Sequence, residues 1–298
     1  LDSRGQHRRH LSILPASGLL LRPLGSPEVN SDSIIRYPAI VKLRTVRNMS
    51  MISTPLQVRF SYLLMLLVPS VAPAEELNTD SFVIATVLKA KGHRAIRSET
   101  IFVGAKIYDR VSVQDVVTKF DLHRRMVHIV NLERKTQTAV SFRELERFQN
   151  EAQASVLSDS RSKSLDLFMA KPVFNYRFDP TKRVIRLDSP KMSYEAHIQQ
   201  APADVVDRFT EFADYSKQLS TYLDRGHLAT PRMQLNKRLK ENSFLPKKVS
   251  LQISKAKLSS EHRYQYYLDE EHKSFIRQVE NQLKTFSESS FSAFLSRR

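Results

Sequence analysis

The sequence predicts an α+β domain in which a long, curved antiparallel sheet, a half-barrel-like meander, carries helices packed on one face. From Ser81 onward, short segments with apolar residues at every second position follow one another between polar turns, a pattern typical of antiparallel strands. Four longer segments have helical spacing instead. The order strands, helix, strands, helices, strands, helix favours strands and helices that lie in separate layers.

The first half of the domain is predicted to be a run of strands. Residues 81–92 and 95–111 are interpreted as two strands separated at Gly92, because both are rich in β-branched side chains. VVTKFD, MVHIVNL and TQTAVSF follow as three short strands, separated by the polar turns LHRR and ERK. Their even spacing indicates neighbouring strands of a meander.

A helix is predicted to begin after Ser141, because Ser141 and Glu144 have the spacing of a capping box. Its apolar stripe consists of Phe142, Leu145 and Phe148. The polar residues 155–164 are predicted to form a loop. VFNYRFDPTKRVIRLDSPKMSYEAHI then predicts three strands, and the first two are joined by a type I turn at residues 179–182, where Pro180 fixes φ.

The last third of the chain alternates helices and strands. ADVVDRFTEFADYSKQLSTYL predicts an amphipathic helix, and a second helix begins after the Thr230–Pro231 pair. KKVSLQISKAKL and HRYQYYL are predicted to be two further strands, and DEEHKSFIRQVENQLKTF a closing helix. We expect residues 75–298 to form one domain.

Residues 49–74 have the three parts of a secretory signal peptide. A segment ending at Arg59 is followed by the apolar run 60–68, and Ala72 and Ala74 supply small side chains at the −3 and −1 positions. Cleavage there leaves Glu75 as the new N-terminus. The apolar run is shorter than the ~20 residues that cross a bilayer. The sequence therefore predicts an exported protein, in the periplasm or outside the cell, and not an integral membrane protein after processing.

Residues 1–48 precede this signal and are rich in Arg, Ser and Pro without apolar periodicity. One interpretation is an organelle transit peptide, which has this composition. The other is an untranslated or disordered leader in front of a true start at Met49 or Met51. A secretory signal acts at a free N-terminus, and this favours the second interpretation.

Composition excludes several kinds of site. The 298 residues contain no cysteine, so disulfides, thiolate zinc sites and cysteine nucleophiles are excluded. After Arg59 no two glycines lie close together, which argues against a phosphate-binding glycine loop. The net charge is +16, and residues 75–298 keep +10 because residues 1–74 carry nine Lys/Arg and three Asp/Glu. A partner of negative charge is therefore to be considered.

No sequence pattern predicts catalysis. The histidines after residue 75 show no H-x-x-x-H spacing, and there is no G-x-S-x-G elbow. Glu270, Glu271 and His272 follow Asp269 at a helix start, where capping and the helix dipole account for them. We therefore assign no catalytic residue, no metal ligand and no cofactor.

Two passages are similar to a known family. AIRSETIFVGAKIYD followed by VVTKFDLHRRMVHIVNLERKTQTAVSFREL resembles the repeated-hairpin start of exported bacterial proteins of unassigned function, particularly from planctomycetes, and SEHRYQYYLDEEHKSFIRQVENQLKTF resembles their closing strand and helix. A more distant likeness is to periplasmic lipoprotein carriers, half-barrels whose curved sheet cradles acyl chains under helices. This likeness implies a lipid or lipoprotein-like ligand. Those carriers open with a helix, whereas ELNTDSFVIATVLKA predicts a loop leading into a strand.

Three hypotheses about function follow. The preferred one is non-enzymatic binding of a hydrophobic or amphipathic ligand on the concave face of the sheet. The aromatic residues expected to line that ligand are Phe174, Tyr176, Phe178, Tyr264 and Tyr266. The first alternative is an adaptor that binds an anionic surface or partner protein through Arg124, Arg125, Lys237, Arg238, Lys247 and Lys248. The second is a hydrolase of envelope polymers. Nucleic acid is not expected as a partner, since HRYQYYL lacks the glycines of RNA-binding strands.

Overall fold

A computed structural model describes residues 79–223 and 227–296, which all belong to one compact unit. The predicted fold class is confirmed, because the described residues form one open, almost entirely antiparallel sheet of twelve strands together with six helices. The predicted leader, the signal peptide and its cleavage residues Ala72, Ala74 and Glu75 lie outside the described residues and stay predictions.

The elements follow the chain in the order strands, helices, strands, helices, strands, helices. The strands are β1 (Ser81–Ala90), β2 (Ile96–Val103), β3 (Lys106–Val111), β4 (Val116–Asp121), β5 (Met126–Asn131), β6 (Thr136–Ser141), β7 (Asn175–Asp179), β8 (Val184–Asp188), β9 (Met192–Gln200), β10 (Phe244–Ile253), β11 (Ala256–Gln265) and β12 (Ser287–Glu288). The helices are α1 (Phe142–Ser158), α2 (Ser164–Ala170), α3 (Ala203–Tyr222), α4 (Thr230–Glu241), α5 (Glu270–Thr285) and α6 (Phe291–Ser296).

The sheet has the strand order β12-β6-β5-β4-β3-β2-β1-β11-β10-β9-β8-β7. Strands β1 to β6 form the predicted meander on one side of the centre, and β7 to β11 form the other side. The two halves meet where β1 pairs with β11, in a register that runs from Val83 opposite Gln265 to Ala90 opposite Leu258. Only the short pairing of β12 with β6, at one edge of the described sheet, is parallel.

Two predicted strands are in fact hairpins. Residues 95–111 divide at Gly104, which has φ 54°, so the prediction of one strand there is wrong. KKVSLQISKAKL divides in the same way at Ser254, which has φ 52°. The predicted turn at residues 179–182 is confirmed, and the Lys182 backbone N–H donates to Asp179 Oδ1 at 2.9 Å. In both wrong cases the turn is only two residues long, and apolar residues lie close to it on both sides, Val103 and Ile107 in the first case and Ile253 and Ala256 in the second.

The loop predicted at residues 155–164 is shorter in the structure, because helices occupy both of its ends. α1 continues to Ser158, and α2 begins at Ser164 with a length of only seven residues. The start of α1 agrees with the prediction, since Ser141 Oγ accepts the Glu144 backbone N–H at 3.1 Å. A helix of two turns gives a weak periodic signal, which explains why α2 is missed.

Most helices pack on one face of the sheet, and α5 is the exception. The main core joins side chains such as Phe82, Ile84 and Phe102 to α1, α3 and α4. Val279 of α5 instead packs with Val83, Ile101, Tyr108 and Val117, which alternate with the first set along their strands and therefore point to the opposite face. The expectation that all helices share one face is wrong for α5.

Polar contacts hold α5 against this second face. Glu280 accepts from Tyr108 Oη at 2.5 Å and from Lys119 Nζ at 2.6 Å. At its start, Asp269 Oδ1 accepts the His272 backbone N–H at 2.9 Å, and the His272 ring reaches back to the Asp269 backbone N–H. The capping explanation for the Asp269–His272 cluster is therefore confirmed.

α3 lies at the centre of the main core. Phe212 meets the rings of Phe102 and Phe120 edge-on, at centroid distances of 5.6 and 5.1 Å. Phe102 in turn stacks on Phe82 at 4.1 Å. Because α3 contacts α1, α4 and the sheet, its side chains are buried on several sides. Its outer surface remains available between α1 and α4.

Replacing Phe212 with Ala tests this central position. Phe212 is 2% exposed, so we expect the Phe212→Ala variant to lose about 3–5 kcal/mol of unfolding free energy. Urea titration followed by circular dichroism measures the change. Val173, which is 74% exposed, provides the control, and Val173→Ala should change stability by less than about 0.5 kcal/mol. Equal effects of the two variants would contradict the assignment of α3 as the core helix.

Candidate functional site

The five aromatic residues predicted to line a ligand make ring contacts within the protein. The Phe174 ring lies 5.3 Å from that of Phe168, and the Phe178 ring 5.6 Å from that of Phe244. Arg238 lies over Tyr176, at 4.7 Å from the ring centre. These three residues belong to the β7 side of the sheet, and Phe178 is 38% exposed.

The other two aromatic residues lie near the centre of the sheet, Tyr264 on β11 and Tyr266 directly after it. The Tyr266 ring is 6.2 Å from that of Phe82, and Tyr264 Oη donates to the Pro246 carbonyl at 2.7 Å. Both pack against the main core. The structure thus places the five residues in two groups, and whether they contact a ligand stays a prediction.

The six basic residues predicted to bind an anionic surface lie in three places, the turn between β4 and β5, α4 and β10, and four of them form ion pairs. The pairs are Arg124–Asp121 at 4.0 Å, Arg125–Glu146 at 2.8 Å, Lys237–Glu241 at 3.9 Å and Arg238–Glu241 at 2.9 Å. Lys247 and Lys248 lie on β10. Whether these residues bind an anionic surface or partner stays a prediction.

A buried arginine that no sequence pattern predicts belongs to α4. Arg232 is in the first turn of this helix and is only 7% exposed. Within the described residues, its Nε and Nη2 atoms have no hydrogen-bond partner. Burial lowers the pKa of Arg232, and the groups that oppose this effect are Tyr194, Asp214 and Tyr264.

Further basic groups surround this arginine. Burial, and then the charge of Arg232, lower the pKa of Lys217 on α3 to about 8. The same two causes lower the pKa of His262 on β11 to about 3. His262 is held between Thr86 Oγ1 and Ser260 Oγ, each 3.0 Å from a ring nitrogen. The interior between α3, α4 and β11 is therefore rich in nitrogen groups. Asp214, an acid that acts electrostatically on Arg232, has its pKa raised to about 6 by burial.

A buried acid lies on the same face of the sheet, on β3. Asp109 is fully buried, and its Oδ1 accepts from Thr100 Oγ1 at 2.6 Å. Its Oδ2 has no partner in the described part of the chain, nor has Thr118 Oγ1 on the neighbouring strand. Burial raises the pKa of Asp109 to about 7. The face of the sheet that packs in the main core thus has polar groups whose hydrogen bonding is incomplete.

A polar groove of about 510 Å³ lies between α1, α3 and α4. Its lining residues are Glu146, Thr210, Glu211, Asp214, Tyr215, Gln218, Met233, Asn236, Lys237 and Lys240. Thr210, Asp214 and Gln218 follow each other at four-residue spacing, so they lie along one face of α3 and form the floor. Arg125, one of the predicted basic residues, borders this groove through Glu146 and Tyr215.

Hydrogen bonds within the groove engage the donors of Tyr215 and Asn236 and leave two acceptors without a partner in the described part of the chain. Asn236 Nδ2 donates to Asp214 Oδ1 at 2.6 Å, and Tyr215 Oη donates to Glu146. Gln218 Oε1 and Asn236 Oδ1 are buried and, among the described residues, have no hydrogen-bond partner. The arrangement favours a ligand that donates hydrogen bonds.

Sequence patterns predict neither the buried arginine nor the groove. Arg232 follows a Thr–Pro helix start and precedes Met233, a context typical of an exposed first turn. The groove residues are spread over α1, α3 and α4, and only the packing of these helices brings them together. The one signal in the sequence is the series Thr210, Asp214, Gln218, a polar stripe on a helix that is apolar on its other side.

Comparisons with known proteins add no assignment. No protein-family model matches the chain, and no curated protein matches it significantly. Over residues 79–223 and 227–296, no group of three or more His, Asp or Glu has an arrangement that suits a metal ion. In the same residues, none of the helices is long and apolar enough to span a membrane.

The raised pKa of Asp109 predicts a pH-dependent stability. The folded state binds this proton more tightly than the unfolded state, whose Asp pKa is near 3.8, so unfolding free energy falls as pH rises from about 4 to about 7. The neutral amide of the Asp109→Asn variant has no such penalty. We expect the advantage of Asp109→Asn over the parent protein to grow by about 1–3 kcal/mol between pH 5 and pH 8, measured by urea titration. Exposed Asp115→Asn is the control, and an equal pH trend in both variants would contradict the prediction.

Proposed function

We propose that this protein is a non-enzymatic binding protein for an amphipathic ligand with an anionic head group. The ligand is held in the interior between the concave face of the sheet and helices α3 and α4. The observation that carries the proposal is Arg232, a buried guanidinium with two nitrogens that have no partner in the described residues.

The two unpartnered atoms lie on the same edge of the guanidinium. Nε and Nη2 present parallel N–H groups, which fit the two oxygens of a carboxylate or phosphate in a bidentate pair. A buried charge without a partner costs several kcal/mol. A ligand anion at this edge supplies that partner, whereas the unliganded protein keeps the penalty.

The surroundings suit the remainder of such a ligand. Arg232 acts electrostatically on Tyr194 and Tyr264, which belong to β9 and β11 and contact the main apolar core. Tyr264 is one of the residues that the sequence analysis proposed for ligand contact. An apolar interior with one cationic anchor is the usual arrangement of a site for an amphiphile.

The nearby cations support an anionic head group over a neutral one. The charge of Arg232 lowers the pKa of Lys217, which is the mark of two like charges at close range. Asp214, an acid that acts electrostatically on Arg232, has a pKa raised to about 6 and compensates them incompletely at lower pH. An entering anion relieves this repulsion, because it adds a negative charge between positive groups.

Export of the protein remains part of the proposal. Its support is the n-region, apolar run and Ala72–Ala74 pair of residues 49–74. An exported protein that binds an amphiphile fits the cell envelope, where lipids and lipid-linked molecules are the abundant ligands. The alternative of an adaptor with a basic face has less support, because four of its six residues are ion-paired.

Binding of a fluorescent fatty acid tests the proposal. The full chain is titrated with 11-(dansylamino)undecanoic acid and, separately, with its methyl ester, which lacks the charge. We expect Arg232→Met to weaken binding of the acid at least tenfold, with little change for the ester, since only the acid pairs with the guanidinium. Thermal unfolding of the unliganded variant should occur at the same temperature as in the parent protein or higher.

The control is Arg161→Met, which removes a solvent-exposed arginine that pairs with Asp159 after the end of α1. We expect it to bind the acid within twofold of the parent protein. The proposal is overturned if the parent protein binds neither probe, or binds acid and ester equally. A loss of several kcal/mol of stability in Arg232→Met would make Arg232 a structural residue instead.

A further inference from the structure

The polar groove between α1, α3 and α4 has features that the proposed amphiphile site does not use. It lies on the outer side of α3, whereas the main core lies on the inner side. We propose that this groove is a second binding site, for a small aliphatic amine that carries one or more primary ammonium groups.

Two amide oxygens at the floor of the groove are buried acceptors without a partner in the described residues. Gln218 is 4% exposed and Asn236 is fully buried, and each has a side-chain oxygen without a partner in the described part of the chain. An unmet buried acceptor costs about 1–3 kcal/mol, so two of them in one groove call for a donor.

Three side-chain donors of the groove, on Thr210, Tyr215 and Asn236, are already engaged within the protein. Thr210 Oγ1 donates to the Val206 carbonyl at 2.8 Å, and Tyr215 Oη donates to Glu146. Asn236 Nδ2 donates to Asp214 Oδ1. An acceptor ligand such as a phosphate or carboxylate would find these groups engaged and would meet the unpaired oxygens instead. A ligand that brings its own donors therefore fits these two oxygens.

The groove also contains a carboxylate, that of Asp214, without a cationic partner in the part of the chain that the structure describes. Asp214 forms no ion pair within the described residues, and the side chain that donates to it, Asn236, is a neutral amide. The lysines that line the groove contact carboxylates outside it, Lys237 with Glu241 at 3.9 Å and Lys240 with Asp207 at 3.2 Å. The floor therefore keeps an acidic group whose charge is not neutralised by an ion pair, which favours a cation.

The number of acceptor groups at the floor equals the number of N–H donors of a primary ammonium. A primary ammonium has three N–H donors, and the floor offers three acceptor groups, Asp214, Gln218 Oε1 and Asn236 Oδ1. Asp214 and Gln218 lie one turn apart on the same face of α3, and Asn236 on α4 contacts Asp214 directly. The volume of 510 Å³ leaves room for an alkyl chain, and Glu146 and Glu211 toward α1 are acceptors for a second ammonium.

Calorimetric titration of the full chain with putrescine tests this site. We expect Asp214→Asn and Gln218→Leu each to weaken putrescine binding at least tenfold. Glu241→Gln removes an exposed carboxylate of α4 outside the groove and is the matched control, with an expected change of less than twofold. Tetramethylammonium carries the charge without N–H donors, so it should bind at least tenfold more weakly than butylamine.

The pH profile gives a second readout. The charged groups that face Asp214 are Glu211 from its own helix, Glu146 from α1, and Arg232, Lys237 and Lys240 from α4. Because burial raises the pKa of Asp214 to about 6, putrescine affinity should rise between pH 5 and pH 7 and level off above it. In Asp214→Asn this rise should disappear, while circular dichroism stays unchanged.

Two outcomes overturn the inference. One is that putrescine, spermidine and butylamine all fail to bind the folded parent protein. The other is that a neutral sugar such as glucose binds in the groove and the amines do not, which would assign the free acceptors to hydroxyl donors. Arg232→Met should leave putrescine binding at pH 7.5 within about threefold, so failure of the amphiphile proposal and failure of this one are distinguishable.

Discussion

The pairing of β1 with β11 is the constraint on which the rest of the structure depends. It joins the meander β1–β6 to the strands β7–β11 through eight aligned residue pairs, across about 170 intervening residues. Such a distant pairing is costly in loop entropy and forms only together with the contacts that it makes possible. Among these contacts, the burial of α3 is the main one. Phe212 of this helix contacts Phe102 of β2 and Phe120 of β4 in one half of the sheet, and the helix also contacts β10 in the other half.

Within the described part of the chain, polar side chains without partners lie on both sides of α3. Its inner side shares the main core with the concave face of the sheet, where Arg232 reaches in from α4. Its outer side presents Asp214 and Gln218 to the groove bounded by α1 and α4. Both arrangements keep polar groups without partners in the described residues, which a helix that served packing alone would not require.

Local pattern was sufficient to predict most strands and the longer helices, and packing was needed for the rest. The alternation along MVHIVNL or MSYEAHI identifies strands because one face of each is buried. The same alternation does not reveal the break at Gly104, since apolar residues lie close to this two-residue turn on both sides. It also does not reveal which face α5 covers, because Val279 is apolar whichever side of the sheet it meets. Arg232 and the groove depend on distances between helices, and no single segment encodes those.

Asp214 links the two proposed sites physically. The charge of Arg232 lowers the pKa of Asp214, against the larger effect of burial, so it helps to keep this carboxylate ionised. An anion bound at Arg232 would neutralise part of that charge and favour the protonated acid. The ammonium of a bound amine has the opposite effect, because it stabilises the carboxylate. Since linkage is reciprocal, the protonation of Asp214 opposes joint binding near pH 6, where this group titrates. The direct attraction between the anionic and the cationic ligand favours joint binding, and it alone remains at a pH where Asp214 is fully ionised.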